Sequence, residues 1–325
     1  MGVSLRVAEM LTKVRRALAS RYLFDNWFSL LIRDILTRLG FNVKLVTRVG
    51  DCTFELSPEA FERIVSRFSR GLIRSVECNG KKLIVNNIEI TNINDLVNVE
   101  TYAKVLGWAY DPINQYWFKS NVKFKRMYLT IIDVFDSIDY EPLNVINRIV
   151  IDVGAFVGDS AIYFALRGAK KVIAIEPHPG AYAEMLDNIK LNNLENVIVP
   201  VNAGLASKPG KICIENSEID KAVGTYYKPN NGCKDGIPVV TLNEIISKFD
   251  INPSNAVLKM DCEGCEFDVI LNDYKHVRLF RELIFETDIN TGSKLLKTLN
   301  KDYQCRIIKI IKNLMFVHCV KDNKR

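Results

Sequence analysis

The chain has 325 residues, 48% of them hydrophobic, and a formal net charge of +6. That length suits two domains, or one large domain with an extension, and the apolar share is enough for a sizeable core. No run reaches ~18 uncharged apolar residues and no uncharged stretch precedes a small-residue cleavage site. Neither a transmembrane helix nor a secretory signal is expected, and the setting is read as cytoplasmic.

The charge is not evenly spread. Residues 1–75 hold 13 Lys or Arg against 7 Asp or Glu, so the remainder is neutral and the basic surplus belongs to the N-terminal part. Eight cysteines are scattered, and only Cys262 and Cys265 have C-x-x-C spacing. A four-cysteine zinc site needs a second such pair. Glu263 and Glu266 beside this one disfavour a thiolate, so ordinary thiols are expected.

Residues 4–39 are predicted helical, with a break near Ser20 to Asp25. Trp27, Phe28, Leu31, Ile35 and Leu39 recur at helical spacing, with Arg33, Asp34 and Arg38 opposite. Such a face packs within its own domain or on a second subunit, or makes peripheral contact with an anionic membrane. Residues 41–91 read as strand-rich, with a short helix from Ser57-Pro58-Glu59 to about Arg70 and a hairpin around Asn79-Gly80. Residues 101–132 are dense in aromatics, including Trp108, Tyr116, Trp117 and Phe118, with Lys119, Lys123, Lys125 and Arg126 interleaved. These aromatics either bridge two domains or stack on sugars or bases. Asp139 to Asn147, with Pro142, reads as a linker. The expected division is an α+β accessory region over 1–140 and a second domain over 141–325.

From residue 149 strands and helices alternate, the signature of a parallel α/β sheet. Strands are expected at 149–153, 172–176, 197–202, 256–261 and 282–287, and helices at 159–167, 180–192 and 291–299. Residues 215–237 read as a polar surface loop, Thr241 as a helix cap, and 303–320 as a closing hairpin about Lys312-Asn313.

The Ile149 strand leads into Gly154 and Gly158, and Asp159 and Ser160 then open a helix. Glycines let the backbone turn tightly and approach a ligand, and a helix N-terminus offers free N–H groups. Glu176 follows Gly158 by 18 residues, at the tip of the next strand. An acid there hydrogen-bonds the ribose of a nucleoside ligand. Phe156 stands where a dinucleotide site wants a glycine, which argues against NAD.

The form Asp152-x-Gly154-Ala155-x-x-Gly158 resembles motif I of class I S-adenosylmethionine-dependent methyltransferases. Three segments together resemble the FkbM family of those enzymes. They are Ile151–Asp159 with Ala174–Pro177, Val201–Ser207, and Val240–Asn243 with Leu258–Glu266; the last contains K-x-D-x-E-G-x-E. The resemblance covers about residues 145–290. It implies a Rossmann-like sheet ending in an antiparallel pair, with methyl transfer to an oxygen, commonly on a sugar or secondary metabolite.

On this reading Asp152, Gly154, Ala155, Phe156, Gly158, Asp159 and Ser160 hold the methionine side of S-adenosylmethionine. Glu176, Pro177, His178, Asn202, Ala203 and Asp261 complete the cofactor set. The catalytic set is Asp261, Glu263, Lys259 and Glu286, where carboxylates crowd the carboxyl end of a strand. Such crowding raises one carboxyl toward a useful base or binds a divalent cation at Asp261 and Glu263. Glu266 is read as a first-turn helix acid or a fourth member. The alternatives are an RNA methyltransferase binding through its basic N-terminal region and a non-catalytic cofactor-binding protein. The Asp-Cys-Glu-Gly segment is acidic where a base-methylating enzyme carries Asn/Asp-Pro-Pro-aromatic, which weighs against nucleic acid.

Overall fold

The computed structural model describes residues 18–80, 82–214, 218–219, 236–311 and 313–322. The expected helix over 4–17, most of the loop at 215–237 and Lys312 lie outside them. The chain divides into two compact units that meet in sequence at Ser137 and Ile138.

In the N-terminal unit the expected break is a 3-10 turn at Ser20–Tyr22, followed by helix Trp27–Arg38. Strands β1 (Leu45–Val49) and β2 (Cys52–Leu56) pair antiparallel. Helix Pro58–Ser69 starts with the Ser57 hydroxyl accepting from the Ala60 amide, with Pro58 in its first turn. The expected hairpin over 73–90 is a three-stranded meander, β3 (Val76–Asn79), β4 (Lys82–Val85) and β5 (Ile88–Ile90). The second turn is made by Asn86 and Asn87, both at positive φ, where asparagine is tolerated. A second meander, β6 (Ala109–Asp111), β7 (Tyr116–Lys119) and β8 (Val122–Phe124), takes up part of the aromatic segment. Trp108, Phe124 and Phe135 pack together inside this unit, and the Arg67 guanidinium stacks 3.4 Å over the Tyr102 ring.

The second unit holds a seven-stranded sheet. Its strands are β9 (Ile149–Val153), β10 (Lys171–Ile175), β11 (Ile198–Val201), β15 (Ala256–Met260), β16 (Glu282–Asp288), β17 (Tyr303–Ile311) and β18 (Leu314–Lys321). Their order is β11-β10-β9-β15-β16-β18-β17. The first five are parallel, and β18 runs antiparallel to both neighbours. The order reverses between β9 and β15, and ligands of open α/β sheets bind outside the carboxyl ends at such a switch. This is the Rossmann-like arrangement of class I methyltransferases, with the antiparallel pair last. A small sheet of β12 (Gly204–Leu205), β13 (Gly210–Ile212) and β14 (Ile237–Val240) lies between β11 and β15 in sequence.

The central strands are apolar on both faces, as burial between helix layers requires. Ile151, Ile173, Leu258, Leu283 and Phe285 on one face and Val150, Val172, Val257 and Ile284 on the other are wholly buried. A capping box at Thr241 and Glu244 starts helix Leu242–Lys248. No described helix is long and apolar enough to cross a membrane.

The expectation of free thiols is corrected. Cys52–Cys78, Cys262–Cys265 and Cys305–Cys319 are disulfides, with Cα separations of 5.8, 5.5 and 4.1 Å. The first and third staple strands brought together only by folding, which spacing along the chain does not reveal.

Candidate active site

The glycine turn sits on the carboxyl end of β9 and is gripped from below. Asp152 and Lys259 are direct partners in the β9–β15 register. The Lys259 Nζ lies 2.9 Å from Asp152 Oδ1, and both residues are fully buried. The ammonium also donates to the carbonyls of Gly154 at 2.7 Å and Val153 at 3.2 Å. Burial works against its charge, but Asp152 and Asp261 outweigh that and hold it above its ordinary value. Ser160 Oγ donates to the second Asp152 oxygen at 2.7 Å. Lys259, expected in the catalytic set, is therefore engaged beneath the turn, and Asp152 and Ser160 face inward with it.

Gly154 has φ +74 and leaves no room for a side chain. A Cβ there would stand 1.9 Å from the Asp261 carbonyl oxygen and 3.2 Å from the Cys262 Cα. The Asp261 amide donates to the Val153 carbonyl at 3.1 Å. The turn after β9 and the acidic loop after β15 are thus in backbone contact. Gly154 and Ala155 amides both donate to the Ile175 carbonyl, tying the turn to β10. Gly158, at φ +87, opens helix Asp159–Leu166, whose first residue Asp159 is buried.

Glu176 stands at the tip of β10 as expected. Its carboxylate accepts from the Phe156 amide at 2.9 Å and the His178 amide at 2.7 Å. Burial pushes its carboxyl up to about 7 against those two donors. His178 is fully buried and caps helix Pro179–Leu191, its Nδ1 accepting from the Ala181 amide. Asn202 donates to the carbonyls of Glu176 and Pro177, bracing that tip from β11. Gly154, Pro177, Ala203, Cys262 and Cys265 line one crevice.

On the other side of the acidic loop lies a cavity of about 360 Å³, within the range of small-molecule sites. Asp261, Glu263, Glu266, Glu286, Asp288, Thr287 and Thr291 line it. One carboxylate oxygen from each of Asp261, Glu263 and Glu286 lies within 4.8 Å of the others. These three hard oxygen donors fit a divalent cation. Burial, then Asp261 and Glu263, push Glu286 up to about 9, so at neutral pH it carries a proton. Burial likewise pushes Glu266 up to about 7; its carboxylate accepts from the Gly264 amide at 3.0 Å.

Tyr140 escaped the sequence reading, which placed it in a linker. Its hydroxyl donates to Asp261 Oδ2 at 2.6 Å, and its ring packs on Phe164. Burial, then the Asp261 charge, push the phenol well above its ordinary range, so it remains a donor. One Asp261 oxygen is thereby fixed. No local pattern announces a contact across 121 residues.

A family model described as the Methyltransferase FkbM domain matches residues 152–303. The chain is similar to Methyltransferase sdnD from Sordaria araneosa, 23% identical over 172 residues. That match covers 43% of this chain and 66% of the fungal protein's length. Among solved structures it is similar to ribosomal protein L11 methylase from Lactobacillus delbrueckii subsp. bulgaricus, with 14% identity and a TM-score of 0.37, over 57% of this chain and 76% of that one. Precorrin-6y C5,15-methyltransferase from Geobacter metallireducens GS-15 is similar at 12% identity and a TM-score of 0.35, over 57% of this chain and 87% of the other.

Two outcomes follow from the geometry. Lys259→Met strands the Asp152 charge in the core, and denaturant unfolding is expected to register a loss of ~3–5 kcal/mol; a change below ~1 kcal/mol would contradict the ion-pair account. A folded-state carboxyl raised from 4.5 to about 9 adds stability that is complete below 4.5 and lost as pH climbs toward 9. Glu286→Gln should therefore be more stable than the parent in mild alkali by ~1–3 kcal/mol and so melt higher there, with no gain in acid. A pH-independent difference in melting temperature would refute that assignment.

Proposed function

We propose that this chain, which carries a methyltransferase FkbM domain over residues 152–303, transfers the methyl group of S-adenosylmethionine to a hydroxyl oxygen of a sugar, glycan or related small molecule. The observation that carries this reading is the composition of the 360 Å³ cavity beside Asp261. Its polar lining is carboxyl and hydroxyl groups, which bind hydroxyl donors and repel phosphate. That favours a polyhydroxylated acceptor over an RNA backbone.

Methyl transfer from a sulfonium is an in-line displacement, and most of its acceleration comes from holding methyl and nucleophile close and aligned. The glycine turn and Glu176 hold the cofactor; the neighbouring cavity holds the acceptor. The contact between Gly154 and the Asp261 carbonyl sets the spacing between the two. Asp261 takes the acceptor proton, with its Oδ2 held by Tyr140 and its other oxygen available. Asp261, Glu263 and Glu286 would hold a divalent cation if one takes part, and such an ion would supply acidification of the hydroxyl. Glu286 must then give up its proton, so occupancy would rise with pH.

Methyl-labelled S-adenosylmethionine, presented with a panel of sugars and with RNA, tests the acceptor class. Label is expected in an alkali-stable ether, and Asp261→Asn should lower the rate ~10²–10⁴-fold with the fold intact. Label in RNA, or turnover within a few-fold of the parent in Asp261→Asn and Glu263→Gln alike, would overturn the reading.

The N-terminal unit is assigned to acceptor recognition at an anionic lipid surface. Phe28, Ile32, Ile35 and Leu39 run four, three and four residues apart and are between 45% and 69% exposed. Exposed Arg21, Lys44 and Arg48 lie in the same segment. Apolar insertion with basic flanks suits anionic headgroups in cytoplasmic membranes. Phosphatidylserine vesicles should sediment the parent protein, and Phe28→Ser with Ile35→Ser should weaken that at least ~10-fold. Equal binding to neutral vesicles, or none to either, would contradict it.

A further inference from the structure

We propose that Cys262 and Cys265 are a thiol–disulfide exchange site, and that their oxidation state sets how tightly the crevice holds its cofactor. The proposal rests on the reading that this crevice takes S-adenosylmethionine, and it concerns a control on that site.

The pair is placed differently from the other two disulfides outlined above. Cys52–Cys78 and Cys305–Cys319 join strands, the latter as direct register partners at the sheet edge. Cys262–Cys265 joins no two elements. It closes a loop of four residues on itself, and both cysteines form the crevice wall with Gly154, Pro177 and Ala203.

Two residues lie inside that ring, and both have unusual backbones. Glu263 is at φ +55 and Gly264 at φ +123. The left-handed region is unfavourable for glutamate, so the conformation needs outside support. The covalent ring gives it, by removing most of the loop's alternatives. The Asp261 carbonyl and Cys262 Cα press on Gly154, so the oxidised loop also holds the glycine turn in the form the cofactor meets. Cys265 is the first residue of helix Cys265–Asn272, so opening the ring also frees that helix end.

The thiolate of an external dithiol attacks one cysteine sulfur, the Cys262–Cys265 bond breaks, and a mixed disulfide forms. The second thiol of the reductant resolves it and leaves as a cyclic disulfide, and the protein keeps two protonated thiols. Cys262 is half-buried and Cys265 buried, so Cys262 is the more accessible residue of the pair. In the disulfide form Cys262 Sγ lies 3.2 Å from Glu266 Oε2, so a thiol formed there has an acceptor within reach. Glu263 is then released from its left-handed conformation, and the preorganisation of the crevice is lost.

S-adenosylhomocysteine is the probe. Calorimetry on the full chain compares oxidised protein with protein treated with dithiothreitol, and alkylation with mass spectrometry counts thiols at 262 and 265. Reduction of this pair is expected to weaken binding about 5-fold or more. The Cys262→Ser, Cys265→Ser double variant should bind as weakly as the reduced parent and ignore dithiothreitol. The proposal is overturned if verified reduction changes affinity less than about 2-fold, if the double variant still responds to dithiothreitol, or if the pair resists dithiothreitol in the folded protein. Absence of S-adenosylhomocysteine binding in both states would contradict the cofactor reading itself, and the proposal falls with it.

Discussion

A single buried ammonium underlies the geometry of this site. An uncompensated charge in a protein interior costs several kcal/mol, so Lys259 is stable only where oxygen atoms converge on it. The Asp152 carboxylate and the Val153 and Gly154 carbonyls supply them. Three of the four participants belong to the strand and turn that would meet the cofactor, and the lysine belongs to the strand that leads into Asp261. The ion pair therefore fixes β9 against β15 at the point where the strand order reverses. The tightness of that junction explains why Gly154 has no space for a methyl group.

The same junction divides the charge. Below the turn an anion and a cation are paired. Above it, Asp261, Glu263, Glu266 and Glu286 share a cavity among described residues that bring no cation to its lining. Burial, and after it the neighbouring carboxylates, favour the protonated form, which is why Glu286 and Glu266 sit far above ordinary carboxyls. Tyr140 donates a hydrogen bond to Asp261 Oδ2 at 2.6 Å. Glu286 is thus kept neutral beside the other carboxylates that line the cavity.

Much of the fold could be read along the chain because its signals are local. Buried parallel strands are continuous apolar runs, and caps such as Ser57-Pro58 and Thr241 with Glu244 are short-range chemistry. What required register could not. The apolar run predicts a strand over 256–261 with Lys259 in the catalytic set, but β15 ends at Met260, and the cross-strand partner of Lys259 is Asp152. The Cys305–Cys319 pair shows the same limit. A regular hairpin about residues 312–313 would set Cys305 against Val320; an irregularity between Ile307 and Lys309 shifts the register and brings Cys319 opposite. A bulge leaves no mark in hydrophobic patterning. Tyr140 and Asp261 meet only because the chain before β9 returns to the crevice, which no periodicity encodes.

The central claim is that the turn after β9 and the acid at the tip of β10 hold S-adenosylmethionine. Titration calorimetry of the intact protein against S-adenosylmethionine and NAD, on the parent and on Glu176→Ala, tests it most directly. The account predicts saturable binding of the sulfonium cofactor, weakened by ~1–3 kcal/mol when the Glu176 carboxylate is removed, and no comparable binding of NAD. Tighter binding of NAD, or cofactor affinity indifferent to Glu176→Ala, would contradict it.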